Sequence, residues 1–362
     1  MRARSSWMLG LALFCSACED PKFDSPLTLG SGQVVPPSQL KAGYEAYMQY
    51  CRPCHGDKGD GRGYSAYGLR PPPRDFTQQK FKFGGVNPEN LPPDSELKRI
   101  VRGGLHGTAM LPWDITDREL DAVLQYIKTF PKRACVEQGG KPEECKSRWE
   151  TEAPGTPVAK ADPKYEGQRK TDAIEQGKRL YHAKAQCSGS CHPNYVTHQE
   201  LFEISKAMTG TEMTAFSPEM YHAQPKDSEY CLEWKAGWKK LDERECALPV
   251  KVMPVDFTRD PVRAGTSPAE LFRTIGSGIG GAGMPPWTGT LTDDELWALA
   301  YYVGSLTDLK GTPAVKALHQ KLQDPANLAW LPPPKAEPAV PGTPAAPGTS
   351  APSAPRSNTP SR

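Results

Sequence analysis

Polar and apolar positions along this chain run through one programme twice, over about residues 38–130 and again over about 172–306. Each pass opens on a stretch that predicts a helix carrying a glycine and, four residues on, a tyrosine: Gly43 and Tyr47, then Gly177 and Tyr181. Each later shows Asp-Phe-Thr, at Asp75-Phe76-Thr77 and Asp256-Phe257-Thr258. Glu96-Leu97-Lys98-Arg99-Ile100 then answers Glu270-Leu271-Phe272-Arg273-Thr274. A glycine-rich turn follows, leading to Met110-Leu111-Pro112-Trp113 and Met284-Pro285-Pro286-Trp287. Each pass ends on a predicted helix that begins at Thr116 or Thr292. The threonine suits the N-cap, and Glu119 or Glu295 stands at the capping-box position. Tyr126 and Tyr302 take equivalent places in these closing helices. Self-similarity of this length points to duplication of one domain. Residues present in both passes are therefore the candidates for shared chemistry.

The pattern outside the two passes is different in kind. Residues 1–17 have a basic start and a short apolar stretch, as an export signal does. The small residues before Cys18 resemble a lipoprotein processing site, although Cys15 stands where such sites usually have leucine; ordinary cleavage near Ala17 is the alternative. No apolar run reaches the roughly 18–20 residues needed to cross a bilayer. The expected organisation is a signal over 1–17, a tether over 18–37, one domain over 38–150 and a linker over 151–170. A second domain follows over 171–310, interrupted by an insertion at about 202–248. A short helix and a Pro/Ala-rich disordered tail complete residues 311–362. With 38 Pro, 33 Gly and 37% hydrophobic residues, small domains with loose connections fit better than one large core. A net charge of +2 argues against a nucleic-acid partner.

Ten cysteines add chemistry to this picture. Cys51-Arg52-Pro53-Cys54-His55 has the form that attaches a c-type haem, the two thiols adding to the vinyl groups and the histidine meeting the iron. A zinc half-site or a redox dithiol would use similar residues, but zinc needs further ligands nearby and a dithiol needs no histidine. Cys187-Ser188-Gly189-Ser190-Cys191-His192 has three residues between its cysteines instead of two. Its place in the repeat makes it a second haem site, with a degenerate copy closed by a Cys187–Cys191 disulfide as the alternative. Met110 and Met284 stand at equivalent loop positions and are candidate distal iron ligands, since thioether sulfur suits a high-potential haem iron. His198 or His222 could substitute for Met284, whereas His106 and His182 read as surface residues. Cys135 with Cys145, and Cys231 with Cys246, bracket polar loops and suit disulfides in an oxidising compartment, against a reading as four free thiols. Arg62, Arg70, Arg74, Lys80 and Lys82 form a basic stretch, either a docking face for an acidic partner or a solvated loop.

Both passes resemble class I c-type cytochromes. Gly43, Tyr47, His55-Gly56, Met110 and Tyr126 match that family in the first, and Gly177, Tyr181, His192, Met284 and Tyr302 in the second. The second pass departs from the family where Pro193 follows His192 and where Tyr181 lies two residues farther from its cysteine. The resemblance implies an all-α protein of two tandem cytochrome c domains holding two covalent haem c groups. It implies single-electron transfer between exported or membrane-bound partners, such as a quinol-oxidising complex, a dehydrogenase or a terminal oxidase. It places the protein in the periplasm, held to the membrane by lipid on Cys18. A di-haem peroxidase or dehydrogenase with one open iron, or the cytochrome subunit of a larger complex, are the alternatives.

Overall fold

A computed structural model describes residues 22–234 and 246–333. The export segment, Cys18, the end of the chain and the side chains of Cys231 and Cys246 lie outside the described residues. The described chain is mostly helical, with few short strands. A two-stranded antiparallel ribbon comes first, β1 (Leu27–Thr28) with β2 (Val34–Val35). The first pass then supplies α1 (Pro37–Tyr50), α2 (Asp94–Gly103), α3 (Asp117–Ile127) and α4 (Phe130–Glu137). The second supplies α5 (Gly167–Arg179), α6 (His198–Thr209), α7 (Pro268–Ser277) and α8 (Asp293–Thr307). The insertion carries an antiparallel pair, β3 (Lys226–Trp234) with β4 (Cys246–Val252). A further helix, α9 (Pro313–Leu322), returns to the second pass: His319 Nε2 meets Thr258 Oγ1 at 3.1 Å, and Lys321 pairs with Glu200 at 3.0 Å.

Each pass builds its own apolar cluster around the same helix pair. In the first, α1 packs on α3, with Tyr47, Leu120, Leu124 and Tyr126 buried between them. In the second, α5 packs on α8, with Tyr181, Leu296, Leu299 and Tyr302 buried. Both closing helices begin with a complete capping box, at Thr116/Glu119 and Thr292/Glu295. That cap satisfies orphan backbone donors at the helix start and sets where the helix begins.

The glycines of the two opening helices mark the crossings. A Cβ on Gly43 would fall inside the Ala122 carbonyl oxygen and 2.8 Å from Tyr126 Cβ. A Cβ on Gly177 would fall inside the Ala298 carbonyl oxygen and 2.6 Å from Tyr302 Cβ. The neighbouring atoms are backbone, so they cannot swing aside.

Two connections are more ordered than their composition suggests. Part of the expected tether folds onto the first cluster, because Leu29 and Val35 bury their side chains there and Gly30 N–H donates to the Trp149 carbonyl at 2.8 Å. The linker runs extended and is tied down on the way. Gly155 N–H donates to Leu91 O at 2.9 Å, Val158 N–H to Gly85 O at 2.7 Å, and Tyr301 Oη–H to Asp162 at 2.7 Å. Cys135 and Cys145 are joined by a disulfide, with Cα atoms 5.7 Å apart.

The crossings make a test in which the sign of the effect decides. In an open helix, Gly→Ala stabilises by up to roughly 1 kcal/mol through helix propensity. Gly43→Ala and Gly177→Ala are expected to destabilise instead, by about 1–3 kcal/mol, as overpacking against backbone does. Gly103→Ala, where nothing lies within 4 Å, serves as the neutral-to-stabilising control. Urea unfolding of the three variants is the measurement.

Candidate functional site

The first motif lies in the turn that follows α1. Its single helical turn, Arg52–His55, ends at Gly56, whose positive φ of 80° reverses the chain. Tyr47 Oη–H donates to the Gly56 carbonyl at 2.7 Å, so the opening helix holds the residue after the histidine directly. His55 Nδ1–H donates to the Arg74 carbonyl at 3.0 Å, and the Phe76 ring stacks on the imidazole at 4.5 Å. Burial holds the imidazole neutral, its pKa pushed down to about 4. A neutral ring with its proton engaged at Nδ1 keeps the Nε2 lone pair for a metal.

The Asp-Phe-Thr repeat explains this orientation, and it was the signal left without a role in the sequence. Asp75 Oδ1 accepts from Thr77 N–H at 2.9 Å and from Thr77 Oγ1 at 2.5 Å. That tight turn presents the carbonyl of the preceding residue, Arg74, to His55. It is repeated at Asp256, whose Oδ1 accepts from Thr258 N–H at 3.0 Å and Oγ1 at 2.7 Å. There His192 Nδ1–H donates to the Val255 carbonyl at 2.9 Å, and Phe257 stacks on His192 at 4.9 Å.

The second motif reaches the same arrangement with a longer chain. Tyr181 Oη–H donates to the Pro193 carbonyl at 3.0 Å, the counterpart of the Tyr47 bond. Because the acceptor is backbone, proline in place of glycine costs nothing here. The extra residues are taken up by a π-helical turn over Leu180–Lys184 and by Gln186 in the left-handed region (φ 47°). His182 sits in this wider, underwound turn and faces inward, so the expectation that it lies on the surface fails. It is buried, with its ring nitrogens 3.1 Å from Ser188 Oγ and 3.1 Å from Tyr302 Oη. His182 thereby pins the enlarged Cys–Cys loop to the closing helix. The insertion adds two further ties, Gln224 N–H to Cys191 O at 2.9 Å and Asn194 N–H to Met220 O at 2.7 Å.

The two methionine loops are built alike. Gly104 (φ 64°) and Gly278 (φ 70°) end their helices in a conformation other residues rarely adopt. Leu105 N–H then donates to Met110 O at 2.7 Å, and Ile279 N–H to Met284 O at 3.0 Å. Met110 lines the same cavity as Cys51, Cys54 and His55, a space of about 210 Å³ whose other walls include Phe76, Leu97, Val123 and Trp113. Met284, half-buried, packs against the second cluster, as Cys187 and Trp287 also do. His198 is buried on α6 between Phe216 (4.6 Å) and Tyr221 (5.7 Å). His106 is exposed.

The donor set at the first motif fits a covalently held haem, and the second motif presents the same residue types. Cys51, Cys54, Cys187 and Cys191 are unbonded thiols. Burial, with the neighbouring cysteine, pushes Cys51 and Cys187 up to about 12. A redox dithiol needs the opposite shift, toward thiolate. Among the described residues no cluster of three or more His, Cys, Asp or Glu is placed to hold a metal ion, as a zinc site would require. Nor, among them, is any helix long and apolar enough to cross a membrane.

These features suit a covalently held haem, and part of the chain is similar to a cytochrome family. The chain matches the family model described as cytochrome c oxidase, cbb3-type, subunit III, over residues 38–127 and 254–303. The matched segments contain Cys51–His55, Met110 and Met284, and they exclude Cys187–His192. No curated protein matches the chain. Among solved structures, a chain of the Kuenenia stuttgartiensis reducing HAO-like protein complex is similar at 25% identity, with a TM-score of 0.48. The likeness covers 74% of this chain and 96% of that one.

The buried His182 sets a pH dependence. Burial pushes its pKa down to about 3 from an ordinary value of 6.5. Above about pH 6.5 neither the folded nor the unfolded chain protonates it. Below that, the unfolded chain gains a proton that the folded chain does not, so stability falls as pH drops. The slope is at most about 1.4 kcal/mol per pH unit for this one group. Urea unfolding at pH 7 and pH 5 is expected to show a smaller acid loss in His182→Gln than in the parent.

Proposed function

We propose that this chain is an exported di-haem c-type cytochrome that passes single electrons between redox partners. One observation carries the proposal: two thiols, a neutral histidine with Nε2 free and a methionine line one largely apolar cavity. In this reading Cys51 and Cys54 would hold the first haem c by thioether bonds, and His55 and Met110 would bind its iron. Cys187, Cys191, His192 and Met284 would do the same for a second. When bound, haem c supplies an iron that cycles between two oxidation states.

The protein's part is to fix, shield and tune. The Arg74 and Val255 carbonyls orient the two histidines and raise their basicity. Phe76 and Phe257 lock the ring planes. Met110 and Met284, as further iron ligands, would favour the reduced iron and leave no open site for substrate. The repeated turns and clusters support two domains, over about 38–150 and 171–310. Residues 1–17 and Cys18 support export to the periplasm and a lipid anchor there. The family description favours a terminal oxidase as the partner class, reached as a carrier or as a bound cytochrome subunit.

Intact mass and haem quantitation of the mature protein are expected to show two covalent haems and, on Cys18, lipid. Replacing Cys51 and Cys54 by Ser, or Cys187 and Cys191 by Ser, should remove one haem each. The reduced parent should not bind carbon monoxide, whereas Met110→Ala should bind it and show a lower reduction potential. A mature protein carrying no haem would sink the proposal.

A further inference from the structure

The two Asp-Phe-Thr turns share a core but not a support. In the first, Gln78 follows the turn, and its Nε2 donates to Thr77 Oγ1 at 3.2 Å and to Asp75 at 3.3 Å. The repeat puts Arg259 at that position in the second half. The exposed side chain of Arg259 lies 3.8 Å from Asp256, and the bond to the threonine comes from elsewhere. His319, 61 residues beyond Thr258, has its Nε2 3.1 Å from Thr258 Oγ1. The one hydroxyl proton of Thr258 is spent on Asp256, at 2.7 Å, so its oxygen accepts and His319 Nε2–H donates. Both halves thus make the same bond on the same oxygen, with unrelated residues.

His319 belongs to a segment that grips both sides of the insertion. It sits on α9, whose last residue, Leu322, is buried. Past α9, Asn327 Oδ1 accepts from the His198 N–H at 2.8 Å, one of the backbone donors that the start of α6 leaves without a helical partner. Asn327 Nδ2 donates to Tyr221 Oη at 3.0 Å. The Trp330 ring packs on Phe202 at 5.7 Å and on Phe216 at 5.8 Å. Residues 313–330 therefore join the start of the insertion to the turn just past its end. The first half needs no such bridge, since only 20 residues separate its histidine from its turn.

We propose that residues 313–330 are a strap that completes the second site, and that His319 is a positioning residue for His192. The path runs from His319 to Thr258, through the Asp256 turn to the Val255 carbonyl, and on to His192 Nδ1–H at 2.9 Å. His319 takes over the part that Gln78 plays in the first half. This rests on the haem reading of the second motif given above.

Redox titration of the loaded full-length protein tests this. The second-site component is the one missing when Cys187 and Cys191 are replaced by Ser. In His319→Ala the turn loses its outer support, the Val255 carbonyl holds the His192 proton less well, and the imidazole becomes a weaker electron donor. That component is expected to shift to higher potential while the first-site component stays in place. His319→Gln should restore the parent value, because an amide can donate to Thr258 as Gln78 does to Thr77. Arg259→Gln added to His319→Ala should restore it too, by giving the second turn the first turn's own donor. A helix that merely packs would not respond to that second change. Loss of the second haem from His319→Ala, regained in the double variant, supports the strap equally. An unmoved second component in His319→Ala overturns the role of His319 and leaves the cytochrome reading standing. So does a downward shift, as water entering a loosened site would give, or a shift or haem loss that neither glutamine variant corrects. A parent protein with no second component overturns the haem reading of the second motif itself.

Discussion

Everything at the two motifs hangs from one backbone contact. The opening helix of each half lies so close to the closing helix that only glycine fits between them, Gly43 over Ala122 and Gly177 over Ala298. One turn farther along, the tyrosine is pressed into the crevice beside its closing-helix partner, with ring centroids 5.3 Å apart for Tyr47–Tyr126 and 5.5 Å for Tyr181–Tyr302. With the ring immobilised, its hydroxyl is a fixed point, and it bonds the carbonyl just after the motif histidine. A steric constraint between helices is thus converted into the position of a metal ligand. Tertiary packing of this kind outweighs the intrinsic cost of a mid-helix glycine, roughly 1 kcal/mol.

The second half shows how much chain length this scheme tolerates. Its motif has one more residue between the cysteines and two more before them. Neither disturbs the tyrosine or the histidine, because the surplus is confined between two fixed points. The π-helical turn and the left-handed Gln186 absorb the residues before the motif, and the His182–Ser188 contact restrains the enlarged loop. π-Turns of this kind recur at functional sites, where an inserted residue is kept because the geometry around it is needed.

The helices, their capping boxes and the pairing of motif with methionine loop were legible because each follows from local chemistry repeated at the same spacing. The glycine–tyrosine pair was legible as a pattern, though its geometric meaning was not, since that depends on the partner helix. His182 was misread because a helical period of 3.6 puts it outward, and nothing local announces a π-turn. The order within the tether and linker was not legible, because composition reports the entropy of a free chain and not the few contacts that fix Leu29, Val35 and Val158. The Asp-Phe-Thr turn stood in plain view, with its target 20 residues away in one half and 64 in the other.

That last disparity bears on what duplication preserved. Between His55 and Asp75 the chain is short, whereas between His192 and Asp256 it carries α6, the β3–β4 pair and their loops. Yet the carbonyl reaches the imidazole at nearly the same distance in both, 3.0 and 2.9 Å. A long insertion is tolerated when its two ends are held independently, because loop closure costs only about (3/2)RT ln n. Here one end is held by the tyrosine and the other by the Asp-Phe-Thr turn packed on the histidine. The insertion is therefore free to acquire a surface of its own without moving the site. The residues kept between the halves are the ones that hold the histidine, and the added chain lies between those holding points.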